Sequence, residues 1–541
     1  NNVAVGENAL ANNTTASQNV AVGQNALLTS TTAAENIAIG HDAMRLTTTG
    51  GYNVGIGTDA LRANTTGERN IAIGHEALDA NTTTSQNVAI GYGALTSNTA
   101  GYELIAIGDS ALEANTTGIS NVAIGEDALK ANTTGDYNTG VGGNALVAAT
   151  TADSNTAVGY NAGSALTTGQ YNIAVGSAAL ATATTADNNV AVGRNALLSS
   201  TTGADNVAIG STALDENTTG SANTAVGSTA LNSNTTASNN TAVGYGSQAN
   251  NTTGTDNVSV GSHSLDANTT GTDNTAIGDN ALGATTTGSN NTAVGSSALY
   301  TNTTTSDNTA VGFQSLYTLN GGTNNAALGH NALFNATTGD NNVAIGKSAM
   351  ENDTSGSNNV AVGYQALDAN TTADNNTAVG RSALGANTTG AYNIAMGNYA
   401  LDANTTANAN IGIGYSALGA NTTGTLNVAI GHESLDACTT GQNNTAVGTY
   451  SLGAVTTGNN NVGMGYAAIG AVTTESGNTA FGHQALEDNT ADNNTAVGLN
   501  AAANNTTGAA NAVFGRNALD ANTTGGYNNA FGYDCLTECT T

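Results

Sequence analysis

The sequence predicts an all-β chain, a parallel β-solenoid of about 32 coils with a 17-residue repeat. Three observations carry this. A short motif, Asn-(Val/Ile/Thr)-Ala-(Val/Ile)-Gly, recurs from Gly6 to Gly532, and 32 such glycines can be counted. Every step between them is 17 residues except Gly482 to Gly498, which is 16. Proline is absent from all 541 residues, as expected where almost every strand is central in a ladder and needs its N–H. Two-helix repeats need about 33 residues or more, so 17 residues leave room only for short strands and turns.

The repeat reads N-[VIT]-A-[VI]-G-x-x-A-L-x-A-N-T-T-G-x-x, numbered 1 to 17 below. Positions 1 to 5 alternate β-branched and small residues, a strand signal. Gly at position 5 ends that strand in a conformation closed to other residues. Positions 8 to 13 are expected as a second strand, and Thr-Thr-Gly at 13 to 15 as the return turn. The one deletion falls at Asn489-Thr490-Ala491, where neighbours carry Asn-Thr-Thr-Gly, and so marks a loop. Coils about 4.8 Å apart would make one continuous domain over 1–541, a rod roughly 150 Å long.

Alternation then assigns faces. Positions 2 and 4 are expected inside, represented by Val3, Val5, Val20, Val22, Ile71 and Ile73. Leu at position 9 faces them, as in Leu10, Leu27 and Leu78. That position is Leu, Met or Ile in 29 of 32 coils, the exceptions being Gly163, Gln248 and Ala502. Repeated Asn at position 1 is expected to form a ladder along the stack. Alanines at positions 3 and 8 (Ala4, Ala9, Ala21, Ala26, Ala72, Ala77) then point outward. Recurrent alanine there fits either an interface between parallel rods or a tight gap within one coil.

Composition excludes several function classes. Eight Lys and Arg stand against 38 Asp and Glu, a net charge of -30. That argues against nucleic acid and anionic membranes as partners. No apolar run approaches the length of a bilayer span. The chain starts in mid-repeat at Asn1-Asn2-Val3 without a signal peptide, as expected of a processed chain or a segment of a longer one. Three cysteines form no disulfide framework. Cys535 and Cys539 could close a small disulfide, tie chains together, or stay free. No coil combines a nucleophile, a histidine and a carboxylate in a way that sets it apart from its neighbours, and no metal or cofactor site is expected, so the chain reads as a non-enzyme.

The Asn-Thr-Thr column admits three readings, one of them ice binding by a flat polar array of Asn at position 12 and Thr at position 14. Thr-Thr fills positions 13 and 14 in 28 coils, and Asn precedes it in 16 of them. Asn13, Asn64, Asn81, Asn115, Asn132, Asn217, Asn268 and Asn387 thereby match a glycosylation sequon. The third reading is that Asn and Thr suit a stacked turn by bonding to backbone.

The segments Asn19-Val20-Ala21-Val22-Gly23, Asn70-Ile71-Ala72-Ile73-Gly74 and Asn121-Val122-Ala123-Ile124-Gly125 resemble the head repeats of YadA-type trimeric autotransporter adhesins. Similar units occur in bacteriophage and marine bacterial fibre proteins. The resemblance runs the length of the chain, although family repeats are usually shorter. It implies a left-handed β-roll, a side-by-side homotrimer and an extracellular attachment role at a cell surface or on a virion. No coiled-coil stalk or membrane anchor lies within these residues. The expected function is therefore a structural shaft or adhesive fibre that self-associates and meets a host-surface or glycan ligand. Alternatives are a phage tail-fibre shaft and an ice- or glycan-binding solenoid.

Overall fold

The structure is a computed structural model describing residues 1–541. It contains 32 three-residue strands, from Val3–Val5 to Asn529–Phe531, each at positions 2 to 4 of a coil. The chain divides into two compact units, Asn1–Asp273 and Asn274–Thr541. Within each unit every strand pairs in parallel with the strand of the next coil. Val3, Ala4 and Val5 lie opposite Val20, Ala21 and Val22 in the first unit. Thr292, Ala293 and Val294 lie opposite Thr309, Ala310 and Val311 in the second. The 16-residue coil keeps this register, because Thr479 still meets Thr495 and the missing residue is absorbed in the loop. The parallel β-solenoid with its 17-residue repeat is thus as the sequence predicts.

The expected second strand is absent. Positions 5 to 12 form three overlapping turns instead. In one coil the Ala26, Leu28 and Ser30 amides donate to the Gly23, Asn25 and Leu27 carbonyls at 3.4, 3.2 and 3.2 Å. Asn25 and Leu27 have φ of 59° and 51°. A positive φ at the third residue of a four-residue turn is the type II pattern, which favours Gly or Asn. Asn, Asp or Gly accordingly recurs at position 7, as in Asn8, Asp42 and Gly93. Leucine is an unfavourable residue for this conformation, yet position 9 adopts it throughout, for example at Leu61 and Leu129. The geometry accompanies complete burial of the side chain: Leu27, Leu61 and Leu129 are inaccessible to solvent.

The strand faces are the reverse of the alternation argument. Ala21 and Ala72 at position 3, and Ala26 and Ala77 at position 8, are wholly buried inside their own coil. Ala9 is half-buried and Ala4 exposed in the first coil, which has a neighbour on one side only. None of these alanines forms an outward interface. Val3, Val5, Val20, Val22, Ile71 and Ile73 instead face outward and are exposed or half-exposed. Only Leu10, Leu27 and Leu78 of the expected core are inside. The reason is room. One leucine per coil fills the interior, and the strand behind it can present only a methyl group. At Gly55 there is no room even for that: a Cβ there would lie 2.7 Å from Met44 Cγ.

One apolar side chain per coil contributes only about 1.5–3 kcal/mol. Polar ladders supply the remaining cohesion. At position 1 the Asn36 amide donates to Asn19 Oδ1 at 2.9 Å, and Asn36 Nδ2 donates to the Gly50 carbonyl at 3.1 Å. Asn53 repeats the first bond on Asn36. Each such asparagine closes its own coil and receives the next. Gly at position 5 is required by two constraints. Its φ lies near 140°, and a Cβ on Gly108 would come within 2.4 Å of the Gly125 carbonyl oxygen.

Candidate functional site

The turns of positions 11 to 15 set the fate of the Asn-Thr-Thr column. Position 12 points inward. Asn64, Asn81, Asn115, Asn132, Asn217, Asn268 and Asn387 are fully buried, and Asn13 is half-buried. Asn115 Nδ2 donates to Asn98 Oδ1 and to the Gly118 carbonyl, both at 3.1 Å. Asn132 makes the same pair of bonds to Asn115 and Gly135 at 2.9 and 3.1 Å. The sequon reading is therefore corrected: the folded chain offers no access to the seven buried amides, and the column is a second internal ladder. Position 13 hydroxyls donate to the next coil, as Thr116 does to the Thr133 carbonyl at 3.0 Å. Position 14 threonines, such as Thr66 and Thr117, form the exposed row.

Three departures from the ladder carry titratable or polar groups into the interior. Asp353 stands at position 12 and is buried, with Oδ1 accepting from the Gly356 amide at 2.9 Å and from Asn370 Nδ2 at 3.1 Å. Its Oδ2 has no partner. Desolvation pushes its carboxyl up to about 7, against those two hydrogen bonds. Ser247, Gln248, Ser259 and Ser264 form a buried polar island, with Gln248 Nε2 donating to Ser259 Oγ at 2.8 Å. Ser247 bonds both Ser259 and Ser264. Cys438 replaces the ladder asparagine, and burial pushes its thiol up to about 11. All three are enclosed, so none is open to a substrate.

Cys535 and Cys539 are not joined to each other and stand as free thiols, so of the readings left open the small disulfide is not formed. Cys539 Sγ lies 3.5 Å from the Thr541 carbonyl.

The outward strand face is a surface that a partner could meet. Positions 2 and 4 place two side chains per strand on one surface. Ile37 and Ile39 are 40% and 39% exposed, and Ile105, Ile173, Ile209 and Ile277 are comparable. Position 2 carries threonine in many coils, including Thr139, Thr156, Thr224 and Thr241. Neighbouring rungs are about 4.8 Å apart, and i, i+2 side chains about 6.5–7 Å apart. In the second unit position 4 becomes bulkier, with Leu328, Met396, Phe481 and Phe514.

Positions 6 and 7 form a polar and aromatic corner. His41, Asp42 and Asp59 bring three ligand atoms within 4.8 Å of one another. The sequence did not point to this cluster, because position 7 of one coil meets position 7 of the next only by stacking. Arg45 Nη1 lies 3.3 Å from Asp42, and Arg62 Nη1 3.7 Å from Asp59. Both carboxylates are thus already paired, and a cation would have to displace a guanidinium. At position 10, burial raises the Asp79, Asp215, Asp266, Asp402 and Asp436 carboxyls, and that of Asp368 to about 6.

No helix is long and apolar enough to cross a membrane. No protein-family model matches the chain, and no curated protein is significantly similar to it.

Proposed function

We propose that the chain is a non-enzymatic extracellular fibre segment that associates side by side with copies of itself through the outward face of positions 2 and 4. One observation carries this reading: a row of exposed or half-exposed apolar side chains at position 4 runs coil after coil along each unit, joined in many coils by valine or isoleucine at position 2. Monomeric proteins rarely expose contiguous apolar patches above a few hundred Å². The resemblance to adhesin head repeats adds the side-by-side homotrimer as the expected assembly. The interface is carried by these β-branched residues, because the alanines are spent inside the coil.

The test is mass in solution. Ile105→Glu with Ile173→Glu places two carboxylates on the face without touching the interior. The parent chain should sediment as an oligomer at micromolar concentration, and the variant as a monomer with an unchanged far-ultraviolet spectrum. A parent chain that sediments as a monomer would sink the proposal. A phage tail-fibre shaft is the same physical object in another particle. A flanking membrane anchor would favour the adhesin, and a flanking intramolecular chaperone domain the phage fibre.

Ice binding uses the same face differently, and the regular grid of threonine and valine at positions 2 and 4 favours it as a second reading. Thermal hysteresis in the monomeric glutamate variant's parent, absent from the variant, would support it.

A further inference from the structure

The second unit carries an unbroken run of ring contacts on its outer corner. Tyr399, Tyr415, His432, Tyr450, Tyr466 and His483 occupy six successive coils, with centroids 6.1, 5.2, 5.7, 6.0 and 5.1 Å apart. The run is extended by Arg381, whose guanidinium carbon sits 5.4 Å from the Tyr399 ring and 5.9 Å from that of Tyr364. The first unit has only isolated pairs, such as His75 with Tyr92.

The rings are exposed: Tyr415 is 48% and Tyr466 47% accessible. They are not uniformly stacked. Tyr415 with His432, and Tyr466 with His483, lie within 20° of parallel. Tyr450 meets both of its neighbours edge to face, at 80° and 84°. Tyr399 meets Tyr415 at 84°. Tyr399 and Tyr450 therefore stand across the run, three coils or about 14 Å apart.

A surface hollow of about 340 Å³ opens at the start of this run. Gln365 and Ser382, each the residue after a member of the run, line it with Asp368 and Asp402. The hollow exists because position 10 is glycine between them: a Cβ on Gly385 would lie 2.8 Å from Asp402 Oδ1.

We infer that this corner, from Tyr364 to His483, is a binding strip for an extended neutral glycan chain. Aromatic rings offer apolar faces and polar edges to the two kinds of surface a pyranose presents. Carboxylate, amide and hydroxyl groups in the hollow supply acceptors and donors for sugar hydroxyls. The net charge of -30 disfavours anionic polymers such as nucleic acid or sulfated glycans. A ring contact in every coil suits a chain that lies along the stack, in preference to a compact ligand. The inference deepens the adhesive side of the fibre reading by naming a ligand class.

Calorimetry on the full chain with cellohexaose, chitohexaose, xylohexaose and mannohexaose tests it. At least one should bind with a Kd below about 1 mM. Tyr415→Ala with Tyr450→Ala should weaken that binding by about tenfold or more. Tyr160→Ala, an isolated exposed tyrosine in the first unit, should leave it unchanged. A heparin hexasaccharide should not bind. No binding to any of the four neutral oligosaccharides overturns the inference, as does an equal loss in the Tyr160 variant or equal affinity for heparin. Sedimentation of the same samples separates this result from the self-association reading: a chain that assembles but binds no sugar fails here alone.

Discussion

Position 12 is filled in two ways in two stretches of the chain. From Asn64 to Asn132 in the first unit it is a run of buried asparagines, each donating to its own loop and each after Asn64 also to the one before. At Cys438, Val455 and Val472 in the second unit it is a run of buried apolar or weakly polar side chains. The backbone turn is the same in both, with the Cys438 and Val455 amides donating to the Leu435 and Leu452 carbonyls at 3.3 and 3.2 Å. The slot therefore tolerates either chemistry, and Asn421 beside Cys438 keeps its Oδ1 paired by accepting from the Gly424 amide at 3.1 Å. Other junctions leave a polar atom over. Asn132 Oδ1 faces Ala149 and has no partner, and the lone hydroxyls of Ser30, Thr47 and Ser200 in the same slot are also unpaired.

Breaking the ladder at its centre should have the largest effect. Asn115→Ala removes the side-chain donor to the Gly118 carbonyl, in a coil where Leu104 stands in place of the position-1 asparagine that would otherwise close it. It also strips a partner from Asn98 and from Asn132. Each buried group left unsatisfied costs about 1–3 kcal/mol, so a loss of roughly 2–5 kcal/mol is expected. Hydrogen exchange at coils on either side reads it locally, since a repeat array need not unfold in one step.

Asp353 sharpens the comparison by placing a titratable group in the slot. Its folded-state pKa of about 7 lies above the ordinary 3.8, so the fold prefers the protonated carboxyl. Its contribution to stability is fully present below pH ~4 and is lost as pH rises through ~7. A shift of that size corresponds to a few kcal/mol. Local protection around this coil should fall over that window, and Asp353→Asn should abolish the dependence. Equal pH profiles for the two chains would refute it.

The smallest effect is a repair. Ala149→Asn extends the ladder by one rung and gives Asn132 Oδ1 a donor. A gain of about 0.5–1.5 kcal/mol in local opening energy is expected, the net worth of one internal hydrogen bond. Slower exchange at the Thr133 and Thr150 amides would register it.

The period, the return loop, the leucine column and the position-1 ladder were all legible in the sequence. The strand faces were not, because bulk does not mark the interior of so narrow a coil. The better signal was invariance. Position 3 is almost always alanine and position 1 almost always asparagine, whereas position 2 exchanges Val, Ile and Thr freely, as a half-exposed strand position allows. The absence of a second strand was not legible either: leucine seldom takes a positive φ, so nothing at position 9 announces a turn. Recurrent Asn, Asp and Gly at position 7 did announce one. The aromatic run escaped notice because its members alternate between positions 6 and 7, and only stacking brings them together.

The 16-residue coil shows how local the bonding is. Asn489 bonds Asn478, Asn494 and Asn505, joining the two internal ladders where a residue is missing, and the strands on either side keep their register. A coil answers only to the coils beside it. A gene encoding such a chain can therefore gain or lose whole repeats by slippage or unequal exchange, each event staying in frame and leaving every retained coil with an acceptable neighbour. Length becomes a heritable variable that is adjusted in steps of one coil, at little cost to the fold.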